Sequence, residues 1–205
     1  MAAMVRISKP PQERRREILS TALELFLKNG YEKTSVGDIV EKIGVAQGLF
    51  YYYFRSKEEV YRAAMEQYAD DCTACLISII QDTLPLRDKI DKVFAYMTGL
   101  IADSGHALMS AASLAEHIDT DNRFSIHVAQ SLIDPISGIL EELNEKGLTA
   151  IRSPEQAATF LIFGIFGLIH GSPDHNHDPA FFRSDEVIRM IAGVLGLTAE
   201  QLLVI

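Results

Sequence analysis

Residues 34–57 read TSVGDIVEKIGVAQGLFYYYFRSK, and this stretch decides the fold. Val36, Ile39, Val40 and Ile43 recur at spacings of three and four, which marks one face of a short helix. Gly44 follows at once, where a left-handed residue commonly ends a helix. A second short helix is expected from about Ala46 to Phe54, closed by the aromatic run Phe50-Tyr51-Tyr52-Tyr53-Phe54. A helix, a Gly-containing turn and a second short helix make the helix-turn-helix pattern, whose second helix enters the DNA major groove. The stretch therefore predicts a DNA-binding regulator, and the rest of the chain should supply pairing and control.

The charge balance looks wrong for such a role until it is divided. The 205 residues carry a net charge of −9, with 48% hydrophobic and 23% charged residues. Residues 1–62 hold 11 Lys/Arg against 8 Asp/Glu, and residues 63–205 hold 8 against 20. A basic head on an acidic body is the asymmetry expected when one end alone touches phosphate. The most apolar run, residues 157–169, is too short to span a bilayer. The N-terminus lacks the apolar run of a secretory signal, so a cytoplasmic protein without membrane contact is expected.

Upstream of the quoted stretch, residues 1–9 read as an arm with Arg6 and Lys9, either frayed or reaching into a minor groove. Pro10 and Pro11 suit a helix start, and Ile18, Ala22, Leu25 and Phe26 share one face of a helix that Gly30 ends. Arg14, Arg15 and Arg16 are either phosphate contacts or a solvated face. Thr34 or Ser35 can cap the next helix, whose N-terminus is itself an anion site. Ser56 and Glu59 form a capping box opening a long helix to about Ile80. Lys57 in its first turn opposes the helix dipole, a conflict that suggests an external anion.

Downstream every pattern is helical. Pro85 opens a segment to about Asp103, and a shorter one covers His106 to Ile118. Another runs from Asp121 to Lys146, with Pro135 predicting a break near Asp134. Ser153-Pro154-Glu155-Gln156 opens a helix to His170, Ser184 caps one to Leu195, and Thr198 starts a terminal turn. The predicted fold is all-α: residues 1–56 form an arm and a three-helix helix-turn-helix DNA-binding domain. Residues 57–205 form a larger helical ligand-binding and dimerisation domain, starting with the long connecting helix.

Residues 12–62 closely resemble the N-terminal domain of the TetR family of transcriptional regulators. The likeness rests on Asn29-Gly30-Tyr31, Thr34-Ser35, Ile39, Gly44-Val45, Gly48, Phe50-Tyr51, Tyr53-Phe54 and Ser56-Lys57-Glu58 in order. It implies a homodimeric repressor that binds a near-palindromic double-stranded operator and is released by a small effector. It further implies phosphate contacts from Thr34, Ser35, Tyr51 and Lys57, with Gln47, Gly48 and Tyr52 on the exposed recognition face and Phe50 and Phe54 packed inward. Gln47 suits bidentate pairing with adenine, against the plain reading of a solvated side chain. Two departures stand out: Ala46 where many members have Ser, and Leu49 where Thr is common, which leaves methyl contact with thymine.

In the body, the helix FLIFGIFGLIHG from Phe160 to Gly171 is apolar nearly all round and must be covered on more than one side. Phe160, Gly164, Gly167 and Gly171, with Val187, Ile188, Ile191 and Val194 of the next helix, are the candidate dimer interface, against the plainer reading of a purely intramolecular core. Two readers on a two-fold axis would require a near-palindromic site. The resemblance implies an apolar or amphipathic effector. Phe94, Tyr96, Met97, Met109, His117, His127, Phe163 and His170 are the candidates to line its pocket, since aromatic, Met and His side chains suit an adaptable cavity, against the plain reading of most of them as core.

Other chemistry finds little support. Cys72 and Cys75 lack a second pair for a four-ligand metal site and read as buried small residues. His175, His177 and Asp178 read as a solvated loop. No G-x-S-x-G elbow, P-loop or H-E-x-x-H pair is present, so neither an enzyme nor a cofactor is expected. The rivals are a ligand-independent architectural DNA binder, whose affinity salt would dominate, and a small all-α enzyme.

Overall fold

The computed structural model describes residues 9–111, 126–170 and 185–204, and every regular element among them is helical. The order is α1 (Pro11–Asn29), α2 (Val36–Ile43), α3 (Gln47–Tyr53), α4 (Lys57–Ile80), α5 (Leu86–Ala111), a helical turn over 126–131, α6 (Ile133–Glu145), α7 (Pro154–His170), α8 (Asp185–Val194) and α9 (Ala199–Leu202). The chain forms two compact units. The first runs to Tyr68 and takes in a later segment from Ala107; the second comprises Ala69–His106 and Asp121–Ile205.

The first unit is built on the predicted faces. Pro10 stands at the N-cap of α1 and Pro11 at its first position, where a missing N–H loses no helical bond. Ile18, Leu19, Ala22, Leu25 and Phe26 of α1 are buried, as are Ile39 and Val40 of α2 and Phe50 of α3. From α4 the unit buries Val60, Tyr61, Ala64 and Met65. Phe26, Tyr31 and Tyr61 form an aromatic trio, with Phe26 and Tyr61 edge-to-face at 5.1 Å and Tyr31 and Tyr61 at 4.8 Å. Each such pair adds about 0.5–1.5 kcal/mol beyond its buried area.

The turn between α2 and α3 is fixed by backbone chemistry. Gly44 adopts φ 75° and ψ 38°, the left-handed region that glycine enters without a Cβ penalty. Its N–H donates to the Glu41 carbonyl, and the Val45 N–H donates to that of Val40 at 3.0 Å. That double closure is the Schellman pattern and sets where α3 begins.

In the second unit α6 and α7 pack on each other, and one apolar cluster joins Leu76, Ile80, Val128, Ala129, Leu132 and Ile162. A second holds Leu140, Leu143, Ala158, Ala192, Leu195 and Leu202. Asn144 locks the α6–α7 connection: its Nδ2 donates to the Ile151 carbonyl at 2.8 Å, while its Oδ1 accepts from Thr149 Oγ1 and the Ile151 N–H. Thr198 and Gln201 form a reciprocal capping box on α9, which holds Leu202 in the core.

Two helix boundaries differ from expectation. α5 continues through Asp103 to Ala111 instead of ending there, since Gly105, like Gly99 before it, costs a helix only about 1 kcal/mol. The break expected near Asp134 falls at Leu132. This places Pro135 in the first turn of α6, where its absent N–H would have had no helical partner.

Candidate DNA interface and internal cavity

α3 separates its aromatic run by helical phase. Phe50 is 0% and Phe54 1% exposed, and their rings lie 5.8 Å apart. Gln47, Gly48, Tyr51 and Tyr52 lie on the other side, with Tyr51 52% and Tyr52 76% exposed. Leu49 is half-buried, and Tyr53 meets Tyr52 edge-on at 4.9 Å. Ala46 occupies the N-cap and offers no side-chain cap, so the first amides of α3 remain unsatisfied by it.

Thr34 and Ser35 divide their roles differently from the reading above. Thr34 is 1% exposed, and its hydroxyl lies 2.9 Å from the Gly30 carbonyl and 3.2 Å from that of Leu25. A phosphate cannot reach it. Thr34 joins the end of α1 to the start of α2 and is removed from the set of DNA contacts. Ser35 is the N-cap, exposed, in a reciprocal box with Asp38: its Oγ accepts from the Asp38 N–H, and Asp38 Oδ2 accepts from both the Ser35 N–H and hydroxyl. The Ser35 N–H and hydroxyl hold the Asp38 carboxyl below its ordinary range, with the Lys57 charge adding to the effect. Asp38 thus takes the place that Glu or Gln fills in the commoner box.

Lys57 lies over the Tyr31 ring, its Nζ 4.1 Å from the centroid. Its charge thus has an aromatic seat as well as whatever anion approaches. The Ser56 box is also modified: Ser56 Oγ accepts from the Glu59 N–H, while Glu59 Oε2 accepts from the Arg55 N–H. Among the three arginines of α1, Arg14 pairs with Glu17 and Arg15 sits 5.2 Å over the Phe54 ring. Arg16 is exposed. Lys42 is tied to Glu24.

The second unit contains a partly open cavity of about 160 Å³. Its walls are aliphatic, including Leu76, Ile80, Ile90, Val93, Leu132, Ile136, Ile139, Leu161 and Ile165, with Phe94 and the stem of Lys89. Among the described residues, Phe94 alone of the expected pocket residues lines it. Met97 packs against the neighbouring cluster, Phe163 is exposed on α7, and His127 is exposed with its Nε2 2.9 Å from Asp70. Met109, His117 and His170 fall outside the described side chains. The cavity is thus walled by ordinary core residues, which nothing in the sequence distinguishes from packing. Burial, then a hydrogen bond with Cys72, pushes the Tyr96 phenol above its usual range. Cys72 is buried and Cys75 half-buried, and neither is joined in a disulfide. The His175–Asp178 loop lies outside the described residues.

The pairing face also changes. Val187 is buried against Phe94, and Ile188 and Ile191 pack into the cluster around Leu195. Val187 thus belongs to the intramolecular core, while Ile188 and Ile191 are half-buried against it. Val194 is half-buried, and Gly171 lies outside the described residues. Phe160, Gly164 and Gly167 remain outward on α7 together with Phe163, and Phe160 is 67% exposed. Among the described residues no helix is long and apolar enough to cross a membrane.

Residues 18–64 match the family model described as bacterial regulatory proteins, tetR family. An uncharacterized HTH-type transcriptional regulator of Bacillus subtilis, YuxN, is 35% identical over 68 residues, covering 33% of this chain and 23% of that protein. The chain thus spans about a quarter of that relative. The fatty acid metabolism regulator protein of Bacillus subtilis is 24% identical over 150 residues, 72% of this chain and 77% of that protein. A TetR-family transcriptional regulator from Pectobacterium atrosepticum has a similar fold, with a TM-score of 0.67 and 18% identity over 91% of this chain and 96% of that one. Residues 18–64 thus carry a DNA-binding domain of the TetR family type, and the fold of the chain is similar to that of TetR-family transcriptional regulators.

Proposed function

We propose that the chain is a homodimeric repressor that reads a near-palindromic operator through α3 and leaves it when a small apolar or amphipathic effector binds. The observation that carries this reading is the division of α3: its polar and tyrosine side chains stand outward while Phe50 and Phe54 anchor it from behind. A rigidly mounted short helix with Gln47, Tyr51 and Tyr52 outward is what direct readout and backbone contact together require. In this reading residues 1–56 form the reader and residues 57–205 the effector and dimerisation part.

Pairing is supported by the outward face of α7. Phe160, Phe163, Gly164 and Gly167 recur at helical spacing and leave large aromatics in water, with Met190 exposed on α8. Exposed apolar patches of this kind mark association surfaces. A second copy of the same face completes a two-fold pair, and the two readers then meet two half-sites.

The test is selection of bound duplexes from a random library, followed by sedimentation of wild type and Phe160→Asp. Enrichment of an inverted repeat, with a dimer in wild type and a monomer with weakened binding in the variant, supports the reading. Enrichment of a single half-site by a monomeric wild type overturns it.

A further inference from the structure

The cavity of the second unit shares Ile80, Lys89 and Ile139 with an open polar groove. That groove also carries Asp82, Asp134, Glu142 and Lys146. Three of these charges are accounted for: Asp82 pairs with Lys92 at 3.5 Å, and Glu142 with Lys146 at 3.8 Å. Asp134 sits in the first turn of α6, where a helix N-terminus favours an acid. Lys89 has neither kind of support. It forms no ion pair with any described residue and stands in the first turn of α5, where the helix dipole disfavours a cation. Its stem, however, is part of the apolar wall, so the ammonium marks where that wall meets the polar groove.

Resting on the effector reading above, we propose that the ligand of this unit is an anionic amphiphile: an apolar group fills the cavity and its negatively charged head meets Lys89. The space fits the tail. An apolar cavity of about 150 Å³ stays dry and takes up benzene, so one of 160 Å³ suits a ring of that size or a short alkyl chain. The walls offer no polar partner for a head group inside, and a buried unpaired charge is costly. The head must therefore remain at the edge, and there the unpaired cation decides its sign. Asp134 and Glu142 set the competing possibility, a cationic head.

The test is calorimetric titration of the full chain, without DNA, by sodium octanoate, 1-octanol and octylammonium chloride, in wild type and Lys89→Met. The variant keeps an apolar stem and removes only the charge. Octanoate should bind roughly tenfold tighter than octanol, the usual scale of a charge-assisted hydrogen bond, and Lys89→Met should erase that advantage while leaving octanol unchanged. Equal binding of octanoate and octanol in wild type overturns the proposal, as do an unchanged preference in the variant, tighter binding of octylammonium, and no binding of all three. Adding selected operator DNA separates the two readings. Lys89-dependent octanoate binding that leaves operator affinity unchanged keeps this site and removes the release mechanism.

Discussion

The Lys57 ammonium lies 4.1 Å from the centre of the Tyr31 ring, so the start of α4 and the turn after α1 share one cation–π contact. A contact of this kind contributes about 0.5–1 kcal/mol at an exposed site. It also fixes a flexible cation in one place before any phosphate arrives. Lys57→Ala should weaken binding to all operator variants alike and lower the salt slope by roughly one. Tyr31→Leu should keep the salt slope and lose affinity through poorer positioning. Binding isotherms at four salt concentrations check both, and an unchanged slope in Lys57→Ala removes Lys57 from the interface.

Gln47 and Tyr51 should part company under mutation. Gln47→Ala is expected to relax preference at one base pair per half-site, by about 1–3 kcal/mol of discrimination. Tyr51→Phe, which removes only the hydroxyl, should lower affinity for every sequence by a common factor. Competition binding against a panel of single-base operator variants distinguishes the two patterns.

Thr34→Val should act on stability and leave DNA recognition alone. The hydroxyl is buried and serves the carbonyls of Gly30 and Leu25, so its loss leaves buried acceptors short and costs about 1–3 kcal/mol. Urea unfolding of the variant reads this directly. Operator affinity, measured where the variant is fully folded, should match wild type.

Acid should loosen the start of α2. The folded-state pKa of Asp38 is depressed, so the stability it contributes is present above its unfolded pKa and disappears as pH falls through the folded value. The stability difference between wild type and Asp38→Asn should therefore be level above about pH 5 and shrink steadily below about pH 4. A difference that grows on acidification contradicts the box. At the other end of α2, Gly44→Ala should cost about 1–2 kcal/mol at every pH, because the left-handed turn is kept with a Cβ in it.

The helix-turn-helix was legible because its marks are local. The apolar spacing of α2, the left-handed Gly44 and the onset of α3 together set the phase that sends Phe50 and Phe54 inward and Tyr51 and Tyr52 outward. Thr34 was not, since two adjacent hydroxyls are equally good caps. Which of them turns inward depends on the Leu25 and Gly30 carbonyls that α1 brings to the spot. The cavity was illegible for another reason. Ile136, Ile139 and Leu161 look in sequence like any packed core, while His127, chosen for its chemistry, lies on the surface against Asp70. On α7 and α8 nearly every position is apolar, so pattern alone could not say that Val187 turns inward and Phe160 outward.

The tyrosines provide a ready spectroscopic handle. Six of the seven, Tyr31, Tyr51, Tyr52, Tyr53, Tyr61 and Tyr68, stand in the first compact unit, and the chain has no tryptophan to mask them. Near-ultraviolet dichroism and intrinsic emission therefore report almost entirely on the first unit, whereas far-ultraviolet dichroism weighs all the helices. Two melting curves recorded on one sample, one at each wavelength, would reveal whether the head loosens before the body, with no label attached.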